Sequence, residues 1–120
     1  MILRALAAVG LMALSSAAVA EDVASASGGE IRVLDKITGR VVDLDMKVGE
    51  TQKIGLIAIT MGDCRYPVNN PSGDAYVELT VLYQENPEPV FAGWMLASAP
   101  ALNAMDHPRY DVWALRCTTS

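Results

Sequence analysis

The most regular stretch of the chain is Val42–Val48, where Val42, Leu44, Met46 and Val48 alternate with Asp43, Asp45 and Lys47. A side-chain period of two is that of a half-buried strand, so the apolar four are expected inward and the charged three in water. Ahead of it, Glu30–Ile37 is rich in β-branched residues and runs into Thr38-Gly39-Arg40, a turn signal, which predicts a first strand. Lys53–Met61 is apolar on both faces and reads as a third, central strand. Asp74–Tyr83 places Ala75, Val77, Leu79, Val81 and Tyr83 on one face and reads as a fourth. Val90–Leu96 reads as a fifth, weakened by Gly93, and Tyr110–Cys117 as the last. In that last strand Trp113, Leu115 and Cys117 share the face expected in the core.

The segments between these strands carry turn chemistry. Arg65–Gly73 is a loop by composition, and Gln84–Pro89 turns the chain over. Within Ala97–Arg109, Ser98 is placed to cap a helical turn over Ala99–Met105, with Pro100 in its first turn and His107-Pro108 ending it. The pattern as a whole predicts an all-β protein: a small antiparallel β-sandwich or barrel of about six strands with one short helical turn.

The first 20 residues read differently. Arg4, the apolar run Ala5–Leu14 and Ala18-Val19-Ala20 are the three parts of a secretory signal peptide, with cleavage expected after Ala20 and a periplasmic destination. The apolar run is far shorter than the ~20 residues a membrane-crossing helix needs, so no membrane span is expected after cleavage. Residues 21–29, small, polar and glycine-ended, read as a flexible leader, and residues 30–118 as a single β domain.

The formal net charge of −5 becomes one unit more negative once Arg4 is removed. With no Lys/Arg cluster, nucleic acid is not an expected partner. Export also changes the reading of Cys64 and Cys117, the only two cysteines. Their spacing excludes a C-x-x-C redox site, and an oxidising compartment disfavours two free thiols, so a structural disulfide is expected. Closing a loop of about 53 residues stabilises a fold by ~4 kcal/mol in the chain-entropy picture.

Catalytic signatures are missing: there is no G-x-S-x-G, P-loop, G-x-G-x-x-G or H-E-x-x-H. Ser98, His107 and either Asp106 or Asp111 supply the residue types of a nucleophile–base–carboxylate set. Asp106, His107 and Asp111 are a candidate metal-ligand set, and neither metal nor cofactor is expected. Aromatic residues offer more. Trp94, Trp113, Tyr110 and Tyr66 are candidates for a stacking platform for sugar rings, whereas Trp94-Met95-Leu96 beside the Ala99–Met105 turn suggests an apolar patch for protein contact. Trp94 stays between core and surface, because Gly93 blurs the register around it.

Three stretches resemble a known family: LDKITG at Leu34–Gly39, VGET at Val48–Thr51 and, above all, GWMLASAPALNAMDHPRYDVWALRC at Gly93–Cys117. They are similar to domain of unknown function 2155, a family of exported alphaproteobacterial proteins, and the likeness covers Glu30 to Cys117. It implies a small periplasmic or envelope protein whose cysteine pair matches Cys64 and Cys117, and it implies no activity or ligand. The expectation is therefore a non-enzymatic accessory β domain that binds an envelope protein. Its surface is expected to comprise Trp94, Met95, Leu96, Asn103, Met105, His107, Arg109, Tyr110 and Asp111. A peptidoglycan- or polysaccharide-binding module is the alternative, and a hydrolase the remote one.

Overall fold

The computed structural model describes residues 22–119. The expected signal peptide and Glu21 lie outside the described residues. Two antiparallel sheets pack face to face around one core. In the larger, the long strand β5 (Ile57–Pro67) has β1 (Val23–Ser25) and β4 (Thr51–Ile54) along one edge and β6 (Tyr76–Tyr83) along the other, followed by β7 (Phe91–Leu96). In the smaller, β2 (Gly28–Asp35) lies between β3 (Val41–Lys47) and β8 (Tyr110–Cys117). Of the two all-β architectures expected from the two-residue periodicity, sandwich or barrel, the two-sheet sandwich is the one found.

Alternation decides what fills the core. Ile57, Ile59 and Met61 on β5, and Val77, Leu79 and Val81 on β6, face Ile31 and Val33 on β2 and Leu44 and Met46 on β3. Each fully buried aliphatic side chain contributes roughly 1.5–3 kcal/mol relative to exposure. Asp43 and Asp45 point to water as expected, but Val48 lies in the turn after β3 and is exposed.

Four expectations are corrected. First, the residues expected as a flexible leader carry β1 and the start of β2: Val23, Ala24 and Ser25 pair with Pro67, Tyr66 and Arg65. Gly28 and Gly29 are there for closeness. A Cβ on Gly29 would sit 2.7 Å from both the Cys64 Sγ and the Arg116 carbonyl oxygen. Second, Lys53–Met61 is two strands. The chain reverses at Gly55-Leu56, with Gly55 at φ +56°, so Ile54 and Ile57 pair across a hairpin.

Third, β8 is inverted over most of its length. Its register against β2 shifts between Glu30 and Ile31, leaving Leu115 unmatched. Counting back by twos from Cys117 gives Trp113 inward, but one bulged residue flips that parity. Tyr110, Val112 and Ala114 are therefore buried, while Trp113 is half-buried on the outer face. Fourth, the helical turn shrinks to a 3₁₀ turn, Pro100–Leu102, without a side-chain cap. Ser98 instead bonds Asp74, its Oγ donating to Oδ2 at 2.7 Å.

The two sheets are fastened at both ends of one strand pair. Cys117 of β8 is bonded to Cys64 of β5, with Cα atoms 5.8 Å apart. At the other end the Tyr110 hydroxyl accepts the Leu56 N–H at 3.0 Å, just before β5 begins. The fastened points come in the same order along the two strands, so β8 runs in the same direction as β5 across the core, as in an aligned sandwich.

Replacing both Cys64 and Cys117 by Ala should lower unfolding free energy by ~4 kcal/mol in a urea titration, from a loop of 53 residues released. An unchanged midpoint would show that the crosslink does not hold the sandwich.

Candidate functional site

The chemistry-rich segment His107–Asp111 is built around an imidazole. His107 is buried, and its Nδ1 accepts the backbone N–H groups of Arg109 at 3.1 Å and Tyr110 at 3.2 Å. With Nδ1 occupied as an acceptor, the neutral ring carries its proton on Nε2. The ring packs against Tyr83, centroids 4.6 Å apart, and against Tyr110 at 5.8 Å. Pro108 leaves the chain no N–H to satisfy at the tightest point of this turn.

The segment is tied to the end of β2. Lys36 Nζ donates to the His107 carbonyl at 2.6 Å and lies 3.6 Å from Asp111 Oδ1. Arg109 pairs with Asp35 at 3.0 Å and lies over the Tyr110 ring. The Arg109 guanidinium, aided by the N–H groups of Ile37 and Thr38, holds the Asp35 carboxyl below its ordinary value of 3.8. Arg32 does the same for Asp43 across β2 and β3. Glu50 is held low by the Lys47 N–H and then by Gln52.

No nucleophile–base set assembles from this. Ser98 is committed to Asp74, Asp111 faces Lys36, and Asp106 is an exposed residue outside the ring contacts of His107. Among the described residues no group of His, Cys, Asp and Glu has metal-binding geometry. Nor is any helix among them long and apolar enough to cross a membrane.

The binding surface expected over Trp94–Asp111 divides in two. Met95, Met105, His107 and Tyr110 are buried and take no part in a surface. Arg109 and Asp111 are spent on Asp35 and Lys36, and Asn103 donates to the Trp94 carbonyl at 2.8 Å, covering part of the β7 edge. The sugar platform does not form either: Tyr66 packs against the core and Tyr110 is in it, while Trp94 and Trp113 lie on different sheets.

Trp94 and Leu96 remain, and they find partners that the linear pattern did not suggest. They line a groove of about 370 Å³ on the outer face of the larger sheet with Val23, Arg65 and Tyr76. The ladder explains the convergence: Ser25, Arg65, Tyr76 and Leu96 lie directly opposite one another across β1, β5, β6 and β7, and Trp94 is one row away. Arg65 lies over the Trp94 ring, 4.9 Å from its centroid, and its Nε donates to Asp63 at 2.8 Å. The outward phase of Tyr76 on β6 was readable in the sequence. Val23 was hidden in a segment without a strand signal.

The residues that carry this geometry fall almost wholly within one family match. Residues 29–117 match the family described as "Uncharacterized protein conserved in bacteria (DUF2155)". The chain belongs to this family. It is similar to "Uncharacterized protein RP359" of Rickettsia prowazekii (strain Madrid E), 31% identical over 94 residues, which are 76% of this chain and 61% of that protein. The chain thus spans less than two thirds of that relative's length. No solved structure matches it. The DUF2155 match takes in both cysteines, Gly29 and the His107–Asp111 segment; β1 and its groove residue Val23 lie before it.

Two outcomes follow. Tyr110→Phe removes the acceptor for the Leu56 N–H and should cost about 1 kcal/mol, with faster amide exchange at Leu56; unaltered exchange would show that the hydroxyl does not pin the hairpin. Asp35, depressed in the folded chain, adds stability above its unfolded value of about 3.9 that is lost as pH falls through the lower folded value. Acid melts below about pH 4 should therefore be shallower for Asp35→Asn than for wild type, and parallel curves would contradict the ion pair.

Proposed function

We propose that the protein is an exported envelope domain without catalytic chemistry, which docks a polypeptide partner in the Trp94 groove. The observation that carries this reading is the groove itself. Val23, Tyr76, Trp94 and Leu96 present an apolar concavity on the solvent side of a sheet whose other side already supplies the core. Half-buried Trp side chains with an adjacent Arg are the composition of interface anchors. The signal-peptide pattern of residues 1–20 and the disulfide support a periplasmic setting.

A polysaccharide ligand is the second reading, favoured by Trp94 and Tyr76 lining one groove. It is weakened by Arg65, which already occupies a face of the Trp94 ring. A photo-crosslinking residue at Leu96 should capture a defined protein in the native periplasm, and Trp94→Ala should abolish capture. The same probe at exposed Val41, on the other sheet, should not capture it. Equal capture from Val41, or capture that survives Trp94→Ala, would sink the docking reading. Trp94-dependent retention on isolated cell-wall sacculi would replace it with the polysaccharide one.

A further inference from the structure

The one charged group among the residues that line the groove is the guanidinium of Arg65. That group is fixed on two sides, by the Asp63 carboxylate at Nε and by the Trp94 ring against its face. A guanidinium holds its five N–H donors in one plane. Stacking covers the face and leaves the edge, so the donors of the two terminal nitrogens remain, with no acceptor among the described residues. A pre-oriented guanidinium edge fits a carboxylate better than any other common protein group.

The shape of the groove restricts the ligand further. The row Ser25–Arg65–Tyr76–Leu96 crosses four strands. At the usual strand spacing that is about 14 Å, the reach of about four residues of extended chain. A lone carboxylate would gain little from an arginine whose side chain is 45% exposed. Affinity has to come from apolar side chains on Val23, Tyr76, Trp94 and Leu96, and the ion pair then sets register. The chain's formal net charge of −5, with Asp63 and Glu78 on the same face as Arg65, repels a ligand carrying several acids.

We infer that the groove takes an extended peptide segment in which a single Asp or Glu lies among apolar residues, its carboxylate bound by the terminal nitrogens of Arg65. This rests on the docking reading above and adds to it the chemistry that is recognised.

The test is a selection of random linear peptides, displayed on phage, against the full chain and against Arg65→Gln, followed by titration of the strongest peptide. Wild type should enrich peptides with one acid among apolar residues. Replacing that acid by its amide should weaken binding about tenfold, equivalent to ~1.4 kcal/mol. The penalty should vanish on Arg65→Gln and be partly restored by Arg65→Lys, which keeps the charge without the fork. Thermal melts confirm that both variants are folded, and the Arg65→Lys comparison decides if Arg65→Gln is not. Enrichment of peptides without an acid, an amide penalty unchanged on Arg65→Gln, or no enrichment would each overturn the inference. The two claims fail separately: acid-free peptides with Trp94-dependent capture at Leu96 remove only the carboxylate, whereas loss of capture at Leu96 removes docking itself.

Discussion

The structure depends on β8 being fastened to β5 at both ends. The two strands belong to different sheets, which are otherwise joined by core packing, by the chain connections and by the Gln52 side chain of β4 donating to the Asp45 carbonyl of β3. One link is covalent, Cys64–Cys117, and the other is the hydrogen bond from the Leu56 N–H to the Tyr110 hydroxyl. A domain this small buries a smaller fraction of its surface than a larger one, so a crosslink that removes several kcal/mol of unfolded-state entropy is a large share of its margin. Two glycines accommodate the links. Gly29 lets β2 pass against the Cys64 sulfur, and Gly55, whose Cβ would lie 2.6 Å from the Tyr110 hydroxyl, lets the hairpin close onto it.

The same constraint explains how the side chains of the segment richest in chemistry are used. The His107 imidazole accepts two backbone N–H groups so that the chain can turn into β8 with Tyr110 facing inward. Arg109, Lys36, Asp35 and Asp111 then form a charged collar over that turn. Exposed ion pairs of this kind contribute little singly, but the collar also fixes the exit of β2 relative to the entry of β8. A histidine, an arginine and two carboxylates crowded into one place resemble a site, yet each is accounted for by the fold.

The Trp94 groove has the opposite character. None of its apolar residues is needed for the core, and its arginine is held in place with donors to spare. Outer faces of sandwich sheets usually alternate to polar residues, whereas here Val23, Tyr76, Trp94 and Leu96, from β1, β6 and β7, gather apolar surface around Arg65.

The sequence by itself determined the all-β class, the alternating faces of β3 and β6, and the cysteine pair, because a period of two and a count of two are local properties. It could not determine the parity of β8, since one unmatched residue, Leu115, reverses every side chain before it and the shift is visible only against β2. Nor could it show β1, three residues with no pattern of their own that become a strand because β5 offers an edge. The bonds from Lys36 to the His107 carbonyl and from Arg109 to Asp35 were equally hidden, as the partners lie 71 and 74 residues apart. The groove joins residues from four strands, and only the sheet ladder, a matter of tertiary pairing, brings Val23, Arg65 and Tyr76 beside Trp94.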